Sequence, residues 1–143
     1  MMFQIQRMDP DLPLPMRQSA EAAGFDLHSR ISTTIKTGER ILVPCGIRIA
    51  LPVGFEAQIR PRSGLALKHG ITLLGAPGTI DSDYRGEIHA TLINLGETDY
   101  TVQKGDRIAQ MVIAKVEMIE FAETNDLPET TRGESGHGST GLI

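Results

Sequence analysis

Short stretches in which apolar and polar residues alternate recur along the middle of the chain, separated by glycine and proline. These alternating or wholly apolar stretches are residues 41–43, 47–51, 55–59, 88–93 and 108–113. A period of two between turn-forming residues is typical of half-buried β-strands. Several such strands in one domain predict an all-β sandwich or barrel.

One segment departs from this pattern. Residues 63–70, Ser-Gly-Leu-Ala-Leu-Lys-His-Gly, begin with a residue type that often caps helices and end with a glycine. The residues between them favour helix formation, so the sequence predicts one short helix here, with Ser63 as its cap.

The C-terminal segment differs again in composition. From residue 123 to residue 143, only Leu127, Leu142 and Ile143 are large and apolar. So few apolar residues cannot form a core of their own. We therefore expect a β-barrel domain over residues 1–122 and a flexible arm over residues 123–143 that becomes ordered on another surface.

Composition and charge narrow the possible functions. The chain has 143 residues, of which 40% are hydrophobic and 22% charged, with a net charge of −4; these values suit one soluble globular domain. The modest acidity argues against nucleic-acid binding, which usually needs a basic face. No apolar run predicts a membrane span, and residues 1–20 show no signal pattern. The single cysteine, Cys45, fits a reducing compartment and predicts a cytoplasmic protein.

The segment Gly75–Glu87 carries the most informative group of polar residues. Pro77-Gly78 predicts a tight turn in which the glycine accepts a positive backbone angle. Two carboxylates, Asp81 and Asp83, follow, and then Tyr84. Exposed amides of a hairpin can bind the edge of a flat ligand, a tyrosine can pack against a sugar, and a carboxylate can orient a water. The segment therefore suits a nucleotide pocket, although an ordinary solvated hairpin would have similar residues.

Two further segments could bind phosphate. Arg62, Ser63 and Gly64 open the predicted helix, where free amides, a hydroxyl and a guanidinium group lie together; a capped helix with a solvated arginine would have the same sequence. Residues 132–141 contain four glycines, three hydroxyl residues and an arginine. Such a segment can wrap its amides around phosphate oxygens, although similar tails are often merely flexible.

Other chemistries have little support. The four histidines show no metal-ligand spacing, and no Cys/His cluster suggests zinc. Ser63 has no evident partner base and no nucleophile elbow surrounds a serine, so nucleophilic catalysis is not indicated. Asp26 could accept a metal-bound water and Gln110 could bind a phosphate, but a turn followed by a strand explains either segment equally well.

Five segments, in this order and spacing, resemble the five motifs of the trimeric dUTP pyrophosphatases (dUTPases). They are residues 23–27, 60–66, 78–87, 105–111 and 132–141. The resemblance implies a jelly-roll-like β-barrel, a homotrimer with active sites shared between subunits, and Mg²⁺-assisted hydrolysis of dUTP to dUMP and pyrophosphate. Such an enzyme would keep uracil out of DNA and supply dUMP for thymidylate synthesis.

The resemblance also implies roles for individual residues. Asp81 would be the catalytic residue that orients the attacking water, and Asp26 would reach Mg²⁺ through water. Uracil would lie in the hairpin, the deoxyribose over Tyr84, and the arm would close from another subunit. The implied substrate-binding residues are Arg62, Ser63, Gly64, Gly75, Thr79, Ile80, Asp81, Tyr84, His89, Gln110, Arg132, His137, Gly138 and Ser139.

Two positions depart from the family pattern. Gly75 stands where an asparagine is usual, so one side-chain amide contact to the uracil edge is missing. His137 stands where a phenylalanine usually stacks on uracil, beside Ser135 where glycine is common. Both changes affect recognition of the base, and neither affects the phosphates.

Two alternative functions are compatible with the same residues. A dCTP deaminase, or a deaminase with dUTPase activity, would have a related fold, although the 78–87 hairpin and the arm favour the pyrophosphatase. A catalytically silent nucleotide-binding or regulatory trimer is the second alternative. The presence of Arg62, Asp26 and Asp81 together with the arm argues against it.

Overall fold

The computed structural model describes residues 1–142. Within this range the chain forms eleven strands and one helix, α1 (Ser63–His69). The strands are β1 (Gln4–Arg7), β2 (Phe25–His28), β3 (Thr33–Ile35), β4 (Arg40–Pro44), β5 (Ile47–Ala50), β6 (Phe55–Arg60), β7 (Ile71–Leu73), β8 (Gly78–Ile80), β9 (His89–Asn94), β10 (Tyr100–Val102) and β11 (Arg107–Lys115).

The strands pair antiparallel in four small sheets. Their orders are β1–β5, β3–β10, β4–β9–β7 and β2–β11–β6–β8. Alternate residues of these strands point to one apolar core; in β9, for example, Ala90 and Leu92 are buried while their neighbours are half-buried. The prediction of an all-β, jelly-roll-like barrel with one short helix is confirmed.

All five stretches predicted as strands are strands in the structure, as β4, β5, β6, β9 and β11. The other six strands were not predicted. All six have three or four residues, and β1 is exposed along its whole length. Such short strands carry too few alternations to be recognised, and their pairing with distant strands determines them.

The helix α1 lies where it was predicted, but its cap differs. The N-cap residue is Arg62, and no side chain makes a capping hydrogen bond, so the predicted role of Ser63 as a cap is wrong. At the other end Gly70 has φ 67° and closes the helix in the left-handed conformation, as a C-terminal glycine commonly does. A Cβ on Gly70 would lie 2.5 Å from the Gly96 amide nitrogen, so only glycine fits there.

Cys45 lies in the core between β4 and β5. Its side chain belongs to the buried apolar cluster, and the residue is 3% exposed. Burial, helped by the nearby charge of Glu87, raises the pKa of the Cys45 thiol to about 12. The thiol is therefore protonated and unreactive in the folded barrel.

Regular structure ends at Lys115, the last residue of β11. Residues 116–142 contain no helix or strand and are exposed almost throughout. The division between residues 122 and 123 and the flexibility of the arm stay predictions, and the arm's last residue, Ile143, lies outside the described residues. In the part of the chain that the structure describes, no helix is long and apolar enough to cross a membrane.

Candidate active site

The four-stranded sheet β2–β11–β6–β8 organises the predicted site residues of the barrel. Asp26 lies on β2 and Gln110 on β11, while β6 leads through Pro61 into α1 and so positions Arg62. The strand β8 contains Thr79 and Ile80 and leads directly to Asp81 and Tyr84. His89, at the start of β9, lies on a different sheet.

Strand register brings together three of the five segments that resemble the dUTPase motifs, namely residues 23–27, 60–66 and 105–111. Gln110 pairs with Asp26 on one side and with Arg60 on the other. Because opposed residues of neighbouring strands project to the same face of a sheet, Asp26 and Gln110 share a face. Arg62, two residues beyond Arg60, reaches the same place.

Asp26 is the centre of a compact charged cluster. Its carboxylate is 3.0 Å from Arg107 Nη1 through one oxygen and 3.7 Å from Arg62 Nε through the other. Arg62 Nη1 also donates to the Arg107 carbonyl oxygen at 3.0 Å. We call Asp26, Arg62, Arg107 and Gln110 the Asp26 cluster; it holds two guanidinium groups against one buried carboxylate, which leaves excess positive charge for an anion.

Arg107 joins the cluster because β11 is irregular at its start. The register against β2 shifts between Arg107 and Ala109, so Arg107 pairs with His28 and Gln110 with Asp26. A β-bulge of this kind places residues three apart on the same face. Strict alternation would have turned Arg107 away from Gln110.

Gln110 is fixed in position by a close approach of the backbone. Its Nε2 donates to the Pro61 carbonyl at 3.0 Å. A Cβ on Gly24 would lie 2.4 Å from Gln110 Oε1, so a larger residue at position 24 would displace the amide. A glycine at position 24 therefore leaves the space that the Gln110 side chain on β11 occupies.

His28 lies beside the cluster. Burial lowers the pKa of His28 below its usual 6.5, Asp26 opposes this shift, and Arg107 and Arg62 add to it. The imidazole is therefore neutral at neutral pH and adds no further positive charge to the Asp26 cluster. Ser63 and Gly64 begin α1 with exposed backbone beside the cluster, and a Cβ on Gly64 would meet only open space.

The turn before β8 differs from its prediction in one detail. The positive backbone angle belongs to Gly75, with φ 72°, and not to Gly78, which is the first residue of β8. The Ala76-Pro77 peptide bond is cis. A Cβ on Gly75 would meet no atom within 4 Å, so the space beside it is open to solvent.

The turn after β8 presents Asp81 and Tyr84. Both residues are exposed, and the Tyr84 amide donates to the Asp81 carbonyl at 3.1 Å. The Tyr84 ring folds back over Gly86, where a Cβ would lie 2.3 Å from the phenolic oxygen. Its hydroxyl donates to the Glu87 carbonyl at 2.9 Å, and the residue is 41% exposed, so the ring is anchored at its hydroxyl and accessible to solvent.

Asp81 and the Asp26 cluster occupy opposite ends of the sheet. Ile80 pairs with Ala57 near the start of β6, so Asp81 follows beside Glu56, where a cavity of about 430 Å³ lies against the turn. The cluster is at the other end of β6, opposite Arg60. Arg60 is four positions further along β6 than Glu56, and this spacing corresponds to a distance of about 13 Å at the usual rise per residue.

His89 directs its ring toward Glu87. Its Nδ1 is 2.9 Å from the Glu87 carbonyl oxygen and its Nε2 is 3.6 Å from the Glu87 carboxylate. The same carboxylate accepts a hydrogen bond from Arg30 Nη1 at 2.5 Å. The structure thus connects His89 to the base of the hairpin that carries Tyr84.

The predicted arm residues make no hydrogen bond to either end of the sheet in the described chain. Arg132 Nε donates to the Ser135 carbonyl at 2.7 Å, and the Ser139 amide donates to the Gly136 carbonyl at 3.1 Å. His137 has φ 51°, in the left-handed region that is costly for a residue with a side chain. Within the described chain, the hydrogen bonds of residues 124–141 connect this segment only to itself.

Two parts of the site were not predicted from the sequence. Arg107 stands in a predicted segment, but the bulge that turns it toward Asp26 has no local sequence signal. The Arg30–Glu87 pair joins residues 57 positions apart, and neither residue had been assigned a role. The only sequence signal for this pair was the position of Arg30, four residues beyond Asp26.

The fold and the site define a class of protein: an all-β domain that places a cationic cluster and a tyrosine-bearing hairpin at two ends of one sheet. The dUTPase family model matches residues 11–141. The chain is 54% identical over 142 residues to the deoxyuridine 5'-triphosphate nucleotidohydrolase of Corynebacterium diphtheriae, covering 99% of this chain and 93% of that protein. It is 60% identical over 131 residues to the protein of the same name from Rickettsia prowazekii, covering 90% and 88%.

A solved structure shares the fold. The G164S mutant dUTPase of Staphylococcus bacteriophage 80alpha, solved with dUpNHpp, superposes with a TM-score of 0.93 at 22% identity over 99% of each chain. Together with the family match, these similarities show that the chain belongs to the dUTPase family. The prediction that it is an enzyme of this family is confirmed.

Proposed function

We propose that this protein hydrolyses dUTP to dUMP and pyrophosphate by attack of water on the α-phosphorus. The observation that carries the proposal is the Asp26 cluster, in which Arg62 and Arg107 converge on one carboxylate at the end of a sheet, with Gln110 on the same face. Two guanidinium groups at one site suit a polyphosphate, because their planar forks match phosphate oxygens. The exposed Tyr84 ring suits the sugar of the same nucleotide.

We further propose that a complete active site needs more than one copy of the chain. Asp81 and the Asp26 cluster are about 13 Å apart along β6, too far for a water on Asp81 to meet a phosphate held near Arg62 in the same subunit. In a cyclic homotrimer, the hairpin of one copy can face the cluster of the next. The exposed arm, which contacts neither site in its own chain, would then close over this shared site.

The residues present fit Mg²⁺ that is held mainly by the substrate. Among residues 1–142, no group of three or more acidic, histidine or cysteine side chains could hold a metal. Mg²⁺ usually keeps several waters and binds one or two carboxylates together with substrate phosphates, and Asp26 could accept its water ligands. When bound, the ion would neutralise charge on the leaving pyrophosphate.

The chain's own residues would do the remaining work. Asp81 would orient a water and accept its proton as the oxygen bonds to phosphorus, while the bridging oxygen leaves with the pyrophosphate. Arg62 and Gln110 would hold the phosphates in line with that water. Tyr84 would pack beneath the deoxyribose and leave no room for a 2′-hydroxyl, which excludes UTP.

The hairpin and arm would recognise the base. Backbone amides between Gly75 and Asp81 can bind the alternating acceptors and donor of uracil, with Thr79 and Ile80 supplying the paired backbone of β8. From the arm, His137 would stack on the base, and Arg132, Gly138 and Ser139 would bind phosphate. A glycine-rich arm suits this role because it can order when the phosphates arrive.

A pyrophosphate-release assay with dUTP, dTTP, dCTP and UTP side by side tests this function. We expect release from dUTP alone at an appreciable rate, and its dependence on added Mg²⁺ tests the metal. Ammonia release from dCTP would favour a deaminase, and absence of pyrophosphate release from dUTP would favour a silent nucleotide-binding trimer. Sedimentation analysis of the same sample tests the trimer.

The cellular setting is part of the proposal. We propose that the protein works in the cytoplasm, where its free thiol would remain reduced, and that it acts on free nucleotide and not on nucleic acid or membrane. Removing dUTP there would limit uracil in DNA and supply dUMP. Fractionation of cells that produce the protein would test the location.

A further inference from the structure

Glu87 connects the Tyr84 hairpin to the rest of the barrel through both its backbone and its side chain. Its carbonyl oxygen accepts the Tyr84 hydroxyl at 2.9 Å and lies 2.9 Å from His89 Nδ1. Its carboxylate, only 11% exposed, is bound by Arg30 at 2.5 Å. The residue whose carbonyl binds the tyrosine is therefore itself held, through its carboxylate, by an arginine from a distant part of the chain.

Arg30 is in turn held by contacts to other segments of the barrel. Its amide donates to the Pro44 carbonyl at 2.8 Å. Its Nε lies 3.7 Å from the Asp9 carboxylate, which Lys104 Nζ also contacts at 3.0 Å. An arginine that is held at both its backbone amide and its guanidinium group can hold Glu87 in a defined position.

The backbone next to Glu87 is also paired with the core. The Ile88 amide donates to the Ile47 carbonyl and the Cys45 amide donates to the Ile88 carbonyl, both at 2.9 Å. The Glu87 carbonyl is fixed with the Ile88 amide, because both belong to one planar peptide. What the Glu87 side chain can still determine is the position of its Cα and so the path of the hairpin backbone that precedes it. Arg30 is the cation that contacts this carboxylate at hydrogen-bond distance in residues 1–142.

We propose that Arg30 is a positioning residue for sugar selection. Acting through the Glu87 side chain, it fixes where the backbone of the hairpin leaves the barrel and thereby the plane of the Tyr84 ring against which deoxyribose packs. The inference rests on the proposed function, because it assigns the sugar of dUTP to Tyr84. Arg30 touches no reacting atom and is not a catalytic residue.

The decisive measurement is the preference for dUTP over UTP. In Arg30→Met the long apolar side chain remains but the hydrogen bond to Glu87 is lost. A ring that is free to tilt admits a 2′-hydroxyl, so the ratio of kcat/KM for dUTP to that for UTP should fall about tenfold, the scale of one such hydrogen bond. Arg30→Lys should recover part of the ratio, and Arg40→Met, at an exposed arginine of β4, should leave it unchanged.

A double-mutant cycle identifies the route. If Arg30 acts by placing the Tyr84 ring, then Tyr84→Phe, which frees the ring by removing its bond to the Glu87 carbonyl, should leave Arg30→Met with much less effect on the ratio. Additive losses in the double variant would contradict this route. A lowered melting temperature with an unchanged ratio in Arg30→Met would show that Arg30 serves stability alone and would overturn the proposal.

A spectroscopic measurement separates this proposal from the proposed function. The chain has two tyrosines and no tryptophan, so in a Tyr100→Phe background the near-ultraviolet circular dichroism of tyrosine reports Tyr84 alone. Arg30→Met should weaken that signal whether or not the protein hydrolyses dUTP, and an unchanged signal would overturn the positioning role. If Arg30→Met fails to fold because the Glu87 charge is buried unpaired, Arg30→Met combined with Glu87→Gln provides the same two measurements.

Discussion

The two ends of the sheet β2–β11–β6–β8 are built in different ways. At one end, Asp26, Arg62, Arg107 and Gln110 come from three neighbouring elements and bond to one another or to nearby backbone. At the other end, Asp81 lies in an exposed turn, and its neighbours in the same chain do not enclose it. The cluster is thus formed in advance within one chain, whereas the hairpin is open on its outer side and, under the proposed function, becomes part of a site only against a second copy.

This difference has an electrostatic reason. Charged groups that bind a polyanion must be held together before the substrate arrives, or mutual repulsion separates them. The Asp26 carboxylate and the strand register do this for Arg62 and Arg107. The carboxylate and the ring that are proposed to orient water and to pack against the sugar have no such need, and an open turn would leave them accessible until the nucleotide is covered.

Replacing the carboxylate proposed to be catalytic should give the largest effect. Asp81→Asn removes the proton acceptor without changing the charges of the Asp26 cluster. We expect kcat to fall by about 10²–10⁴, the usual contribution of a general base, while the affinity for a non-hydrolysable dUTP analogue changes only a few-fold. Asp83→Asn, in the same exposed turn, is the matched control, and a kcat for Asp81→Asn within about tenfold of the parent would contradict the assignment.

Removal of the arm should be the next largest change. A chain that ends at Thr131 lacks the glycine-rich segment but keeps every strand of the barrel. We expect a folded oligomer whose kcat/KM for dUTP is lower by about a hundredfold, the scale of lost positioning. Removal of only residues 142 and 143 is the control. Loss of structure by circular dichroism in the longer truncation would show that the arm supports the barrel.

A smaller effect is expected from restoring an amide at the hairpin. Gly75 has φ 72° with open space around it, and asparagine tolerates this angle better than most residues. Gly75→Asn should raise the dUTP over dCTP ratio of kcat/KM by at most about tenfold through one added hydrogen bond. Gly75→Ala carries the same backbone change without the amide. Equal ratios in the two variants would mean that the added amide does not contact the base.

The smallest expected effect concerns Asp9, which contacts Arg30, the residue that holds Glu87 at the end of the hairpin. The hydrogen bond from Lys104 lowers the pKa of Asp9 below its usual 3.8. A carboxyl group whose pKa is lower in the folded state stabilises that state above its unfolded pKa, and this contribution is lost as pH falls through the folded pKa. Asp9→Asn should therefore lower the free energy of unfolding at pH 7 and lose this difference in acid.

Urea unfolding at matched protein concentration, at pH 7 and at a series of falling pH values that continues below the ordinary pKa of an aspartate, checks this expectation. Asp126→Asn, in the exposed arm, serves as the control. A difference between Asp9→Asn and the parent that persists unchanged in acid would show that packing and not charge is lost. The Asp26 cluster should keep its phosphate affinity in the variant, which would separate the two ends of the sheet.

Local sequence pattern was sufficient for the larger strands and the helix. Residues 55–59 and 108–113 alternate clearly enough to predict β6 and β11, and Gly70 ends α1 as a C-terminal glycine should. The three-residue strand β8 was missed because a Gly-Thr-Ile segment has no alternation of its own. Its pairing with β6 defines it.

The site was predictable only where its residues fall in recognisable segments. Asp26 and Gln110 belong to the resemblance with the dUTPases, and the register then places them opposite each other. The bulge beside Arg107 and the contact between Arg30 and Glu87 arise from tertiary packing between distant segments, so no local pattern indicates them. The positive angle fell on Gly75 and not Gly78 because Gly78 is taken into β8.

The buried Cys45 makes the barrel its own reporter of opening. It is the only thiol in the chain, and it can ionise and react with a disulfide reagent only when the core around it is exposed to water. Its labelling rate under native conditions therefore measures the population of molecules whose barrel has opened. Any substitution at either end of the sheet can be assessed in this way without substrate, which distinguishes a damaged site from a damaged fold.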